Sequence, residues 1–360
     1  MRLSDQVNKL KLIIKFAYDI CTNFITSKKV ILITESVNWS INEDSKNIQK
    51  YLKDKISFKI SITHIGARNK ILHFMSANTF INNKGIAKIS KSNKIILTWF
   101  HIVDTDKDRI TKIPKLNNIV NYVHTASEIT KKKLIAHGLD KNKIILIPLG
   151  VNLNEFYPIT AQKKKILRKK LNLPLNKKII GSFQKDGDGW GMGTSPKLIK
   201  GPDVFCDAVE KIAKKIDIHI MLTGPARGYV INRLQKAGIP YTHVYLKRAG
   251  DVATYFKVID LYIIASREEG GPKALLEAMA TGIPLISTKV GMVPDLILSK
   301  KIGFLVNNED FASISSAAIN LFKNESKYKF LRQEMSKKIK AYEINKITQQ
   351  YYHKIYKKLL

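Results

Sequence analysis

Two glutamates, Glu269 and Glu277, stand eight positions apart in the stretch REEGGPKALLEAMATG (267–282). Between them come Gly270, Gly271, Pro272 and Lys273, and then the start of an apolar helix. A helix N-terminus presents unpaired N–H groups and a partial positive charge, so it attracts anions. Carboxylates on both sides of such a terminus suit a ligand carrying hydroxyls, then phosphate, then hydroxyls. A nucleotide-sugar has that order of groups. The plainer reading is a solvated loop followed by a helix with one surface glutamate. Glu268 is adjacent to Glu269 but one residue out of register.

The elements that must hold these residues follow from the apolar pattern. In the first half, KKVILITES (28–36), SFKISITHIG (57–66), KILHFMS (70–76), KIILTWFH (94–101), NYVHTAS (121–127) and KIILIPLG (143–150) read as strands. Helix-like segments separate several of them; one, ASEITKKKLIAHGL, is expected to end at Gly138. A second series begins at KKIIGSF (177–183) and runs through IHIMLTG (218–224), YTHVYL (241–246), LYIIAS (261–266) and PLIST (284–288). Such alternation predicts parallel sheets covered by helices. The fold class is therefore α/β, with two Rossmann-like, doubly wound domains facing a cleft. The expected limits are 1–160, a linker with a short helix over 161–177, a second domain over 178–340, and a terminal helix over 341–360. Ligands of such sheets bind at the carboxyl ends of strands, where Glu269 falls after LYIIAS. His101 closes the run KIILTWFH, where a lone histidine is often structural.

Other segments carry less chemistry. Val7, Leu10, Ile14, Ala17, Cys21 and Phe24 form one helical stripe. It is expected to pack on the first domain; lying on an anionic membrane is the alternative. The run GDGWGMG (187–193) lacks the spacing of a P-loop and reads as a mobile loop beside the site. Two Asp-x-Asp triplets occur, Asp104–Asp106 and Asp186–Asp188. Such pairs can hold a divalent ion through oxygen ligands, but chance accounts for both, and no metal site is predicted.

The chain has 360 residues, 44% of them hydrophobic, which is enough for two domains with real cores. Lys and Arg number 62 against 29 Asp and Glu, a net charge of +33. That field favours anionic partners, although a chain rich in Lys, Ile and Asn also carries a compositional bias. Cys21 and Cys206 form no disulfide framework and no CxxC metal site. A reducing cytoplasm fits them. No apolar run approaches a membrane span, and lysines interrupt the N-terminal segment, so no signal peptide is expected.

With these residues in view, SREEGGPKALLEAMATGIPLISTKVGMVPDLI (266–297) resembles the signature of the family 4 retaining glycosyltransferases, which have the GT-B fold. Its core is the Glu269–Glu277 pair. HTASEITKKKLIAHGLDKNKIILIPLGVNLNEFYP (124–158) is similar to that family's passage into the linker. KKIIGSFQKDGDGWGMGTSPKLIKGPDVF (177–205) is similar to the opening of its nucleotide-binding domain, and ITQQYYHKIYKKLL to its last helix, which crosses back to the first domain. The resemblance covers residues 94–360; residues 1–93 match only in βα pattern.

The resemblance implies a retaining, metal-independent transferase without a cofactor. It would move a hexosyl or related sugar from a nucleotide-diphosphate sugar to a glycan or lipid-linked acceptor. The positive charge by itself suggests work at the inner, cytoplasmic face of a membrane, on a lipid-linked or otherwise anionic glycan, with cell-envelope polysaccharide synthesis as the expected setting. Glu269 would meet donor-sugar hydroxyls and Glu277 the ribose. Lys200, Gly270, Gly271, Pro272 and Lys273 would meet the diphosphate, and His101 would face the sugar from the first domain. Two departures stand out. The family's Gly-Arg-Leu is replaced by Gly181-Ser182-Phe183, which leaves Lys185 as the candidate for the missing cation. Its early glycine pair is replaced by ITESVNWSINED (33–44), so acceptor contacts do not transfer. The rival readings are a sugar-nucleotide epimerase or phosphorylase of the same fold, and a basic protein binding membrane or nucleic acid. No zinc finger, RRM-like aromatic motif or basic zipper supports a specific nucleic-acid partner.

Overall fold

The computed structural model describes residues 3–36, 40–82, 85–189, 191–246, 248–298 and 302–360. Residues 37–39 of the 33–44 stretch and Trp190 of the glycine run lie outside them. The chain forms two compact units, Met1–Pro148 with Asn345–Leu360, and Leu149–Ile344.

The first unit holds a parallel sheet in the order β2-β1-β3-β6-β7-β8. Its strands are β1 (Val30–Ile33), β2 (Phe58–Ser61), β3 (Ile71–Phe74), β6 (Lys94–Thr98), β7 (Tyr122–Thr125) and β8 (Ile144–Leu146). The short strands β4 (Ile81–Asn82) and β5 (Gly85–Ile86) pair antiparallel beside it. The second unit holds β9 (Lys178–Ser182), β10 (Ile218–Thr223), β11 (Tyr241–Val244), β12 (Leu261–Ile264), β13 (Leu285–Thr288) and β14 (Phe304–Val306). Their order is β11-β10-β9-β12-β13-β14, again all parallel. Runs such as VILI in β1 and IHIMLT in β10 are buried along their whole length. Strands covered on both faces read as continuous rather than alternating apolar sequence. This is the expected α/β architecture of doubly wound sheets. In the second sheet the winding reverses between β9 and β12, and a crevice opens at the carboxyl ends of the strands at such a point.

Three expectations are corrected. The division falls at Pro148–Leu149, not at 160. The helix Ala161–Lys170 is no separate linker but part of the second unit. Asp260 clamps it, pairing with Lys164 at 2.6 Å and Arg168 at 2.7 Å, while Arg168 Nε donates to the Val258 carbonyl. The N-terminal helix Leu3–Ile25 does not pack by its apolar stripe: among its described side chains Asp19 and Asn23 are the buried ones, while Leu10 and Ile14 face outward.

The segment after Asn345 returns to the first unit through a chain of buried hydrogen bonds. Neighbouring acceptors fix the tautomers: His124 Nε2 faces the Ile147 carbonyl at 2.9 Å, so that nitrogen carries the proton. Thr98 then donates to His124 Nδ1 at 3.0 Å, His73 Nε2 donates to Thr98 at 2.8 Å, and Tyr356 donates to His73 Nδ1 at 2.7 Å. Both rings must be neutral for this direction to hold. Burial supplies the cause, lowering His73 well below the usual histidine value and His124 to about 4.

Candidate active site

Glu269 lies in the loop that leaves β12, and Lys200 in the loop that leaves β9. The two meet: Lys200 Nζ is 2.6 Å from Glu269 Oε1, and Ser266 Oγ donates to the same oxygen at 3.0 Å. Gly201 makes the meeting possible. Its backbone is left-handed at φ +60°, and a Cβ there would stand 2.0 Å from the Ala265 carbonyl oxygen. Only glycine permits that approach, which brings Lys200 beside the β12 exit. Arg267 then ties the loops together. It donates twice to Asp203 at 2.9 and 2.7 Å and once to the Leu198 carbonyl, and its amide donates to the Ile199 carbonyl. Pro202 opens the helix Pro202–Ala213, where the missing N–H is no loss. Glu268 also contributes its amide to Ile199 O.

Glu277 sits on the helix Lys273–Thr281, with Pro272 at its N-cap. Among the described residues no side chain caps that helix, and its first amides belong to the Gly270–Lys273 turn. The turn is packed: a Cβ on Gly271 would stand 2.9 Å from Leu149, and one on Gly291 would stand 2.4 Å from the Gly270 carbonyl oxygen. Burial pushes the Glu277 carboxyl up to about 7, opposed by Lys273 one turn earlier and reinforced by Glu155. A carboxyl at this value is half charged near neutrality. A half-buried, perturbed acid at a strand-end crevice is a functional signal.

The β9 exit is braced from beneath. Tyr262 accepts the Phe183 amide at 3.0 Å, and the buried Arg227 donates to the Ser182 carbonyl and hydroxyl. Arg227 also pairs with buried Asp186 at 2.9 Å. Lys185 follows, partly buried. Sequence reading missed a third lysine, Lys197. Burial lowers its pKa, and the charges of Lys200 and Lys185 lower it further. Three cations thus share one loop cluster. Lys197 stood unremarked because nothing in its local sequence separates it from the many surface lysines; Arg267 was missed because its partners Asp203 and Leu198 lie on another loop, and Ser266 because a lone serine carries no pattern.

The glycine run corrects another expectation. Gly187 and Gly193 are wedged against Ala226, where a Cβ on either would meet its backbone at 2.4 Å. Gly187 bridges to Pro196, and the Asp188 amide bonds the Ser195 carbonyl. The base of this loop is a packed hairpin, while Gly189 and Gly191 stand in open space. The Asp-x-Asp carboxylates have other uses. Asp106 accepts the Arg109 amide as a helix cap, Asp104 pairs with Lys133, Asp186 pairs with Arg227, and Asp188 is exposed.

His101 belongs to the first unit. The strand β6 ends at Thr98, so His101 stands three residues beyond it and exposed, a correction to its expected place at the strand end. Its carbonyl accepts the Trp99 indole N–H at 2.9 Å. It lines a cavity of about 140 Å³ with Glu35, Ser76, Asn78, Asp106 and Arg109. Glu35 Oε1 accepts from Ser76 at 2.8 Å and Asn78 at 3.0 Å. Sequence alone offered no role for Glu35.

Residues 195–342 match the family described as "Glycosyl transferases group 1". An N-acetyl-alpha-D-glucosaminyl L-malate synthase of Bacillus anthracis is 24% identical over 259 residues, covering 71% of this chain and 66% of that protein. The Escherichia coli UDP-Gal:alpha-D-GlcNAc-diphosphoundecaprenol alpha-1,3-galactosyltransferase is 26% identical over 64% of this chain and 56% of its own length. These matches thus span between about half and two thirds of the curated relatives. The Anabaena protein HepE, solved with UDP and glucose, shares the fold, with a TM-score of 0.74 and 13% identity over 92% of this chain and 100% of that one. Residues 195–342, the stretch that carries Lys200, Glu269 and Glu277, thus resemble the glycosyl transferases group 1 family, and the chain shares the GT-B fold.

Proposed function

We propose that the protein is a retaining glycosyltransferase that takes a sugar from a nucleoside-diphosphate sugar and passes it to a glycan or lipid-linked acceptor of the cell envelope. The observation that carries this reading is the 2.6 Å Lys200–Glu269 pair at the winding reversal of the second sheet, beside the helix bearing Glu277. An ammonium has three donors, and one is used on Glu269. Lys200 therefore bridges the carboxylate that would hold the sugar and the phosphate that would leave. The amides of the Gly270–Lys273 turn and the charges of Lys185 and Lys197 point to the same anion. Such donors, fixed before reaction, stabilise charge where it develops. In the step itself the bond from C1 to the phosphate oxygen breaks, and the acceptor oxygen bonds C1 on the same face. The acceptor proton passes to the departing diphosphate. The relatives named for lipid-linked and small-molecule acceptors support the class, and the first unit's cavity at His101 and Glu35 is the proposed acceptor side.

Thermal unfolding with UDP, GDP, ADP and CMP in EDTA tests the donor half. Ligand bound only to the native state at a hundred times its Kd adds about 2.7 kcal/mol. One diphosphate is expected to stabilise the wild type. Glu269→Ala and Glu277→Ala are each expected to lose about tenfold to a hundredfold in donor use, from hydrogen bonds worth about 1.5–3 kcal/mol. Donor binding and transfer should persist in EDTA. Loss in chelator with recovery on manganese would establish a required metal, and an absence of any nucleotide shift would remove the reading.

A further inference from the structure

The N-terminal helix holds to its unit by the wrong side for an amphipathic helix. Asp19 Oδ2 accepts the Ile62 amide at 2.9 Å, and Asn23 donates to the Thr63 and Ile65 carbonyls at 2.9 and 3.0 Å. Lys59 donates to Thr22 and Asn23, at 2.6 Å each. Asp19 and Asn23 are each 1% exposed. At about 100° per residue, the stripe Leu10, Ile14, Ala17, Cys21 and Phe24 is centred roughly 160° from that buried pair. Leu10 is 59% exposed, Ile14 60%, Phe24 62% and Ile25 82%. Every side chain from Lys9 to Tyr18 is exposed. Lys9 and Lys11 flank the stripe, roughly 100° to either side of its centre.

We infer that this helix lies in the headgroup layer of an anionic lipid bilayer, with Leu10 and Ile14 inserted and Lys9 and Lys11 on the lipid phosphates. A helix with an apolar face bordered by lysines binds an interface in this way. Among the described residues, no helix is long and apolar enough to cross a membrane. The three-and-four spacing would also suit a second copy of the chain. Charge decides against that occupant. The only acidic residue in 9–25 is Asp19, which is buried and paired with Lys15 at 2.8 Å. A second helix would bring lysines to lysines between two chains of +33 each, whereas an anionic surface complements them. The inference does not depend on the donor site.

Flotation of the full chain with phosphatidylcholine vesicles, with and without phosphatidylglycerol, tests it at physiological salt. The wild type is expected to float only with phosphatidylglycerol. Ile14→Asp should reduce that binding by about tenfold or more, and the double variant Lys9→Glu, Lys11→Glu by a similar factor, since each basic residue near an anionic surface is worth about 1 kcal/mol. Both should keep the wild-type melting temperature, because the altered side chains are exposed. Lys141→Glu, an exposed charge change elsewhere, should float as the wild type does. Wild type that ignores phosphatidylglycerol overturns the inference, and so does Ile14→Asp floating normally. A dimer in light scattering that Ile14→Asp converts to monomer would assign the face to a second copy instead.

Discussion

Burial holds the Glu277 carboxyl toward its neutral form. Its folded pKa of about 7 lies above the ordinary 4.5, so the folded state binds more protons than the unfolded one between these values. Its stability term is therefore fully present below 4.5 and is lost as pH rises through 7. Glu277→Gln removes the term, and the variant should gain in melting temperature over wild type as pH rises from 5 to 8. Equal melting temperatures across that range would show that burial does not strain the carboxylate. Ligand binding should run the other way. Hydroxyls donate to the charged carboxylate, so nucleotide affinity of the wild type should weaken as pH falls below 7. Gly201 is the second residue with a sharp prediction. Gly201→Ala places a Cβ against Ala265 and forces a left-handed alanine, a strain of about 1–3 kcal/mol or more. Donor binding should fall with stability, because Lys200 moves with its loop. Gly191→Ala, in open space, should change neither.

At the scale of elements, sequence conveyed the periodic parts and missed the contacts between distant ones. The runs of β1, β10 and β12 are apolar throughout because both faces are covered, so their presence could be read directly. The order of strands could not, since nothing local says that β9 pairs with both β10 and β12. Glu269, Glu277 and Lys200 were legible through a spaced pattern, but Lys197, Ser266, Arg267 and Glu35 depend on which loops meet. The N-terminal stripe shows the same limit. Periodicity states that a helix has an apolar face; it does not state that a two-residue polar patch wins the docking. Here Asp19 and Asn23 satisfy backbone groups at the end of β2, which apolar side chains could not do. The returning C-terminal segment offers an element-scale test. Tyr356→Phe deprives His73 Nδ1 of its donor, and a buried acceptor left unpaired costs about 1–3 kcal/mol. Thermal unfolding should show that loss with the Ile355 and Tyr351 packing otherwise intact.

Across the whole molecule the two units should answer acid in opposite ways. His73 and His124 have folded values below the ordinary 6.5. Their contribution to the first unit is present above 6.5 and is lost as pH falls toward 4. Glu277 adds stability to the second unit over nearly the same interval. Amide exchange at pH 7 and pH 5 should show β3, β6 and β7 losing protection relative to β9, β12 and β13. Parallel changes in both sheets would contradict these assignments. The interrupted path of the chain has a further result, for the order of synthesis. A ribosome makes the first sheet early, then all of the second unit, and only afterwards the Asn345–Leu360 segment that belongs on the first sheet. Until that segment emerges, His73 and His124 lack their tyrosines, and the nascent first unit waits incomplete beside a neighbour that already has every part it needs.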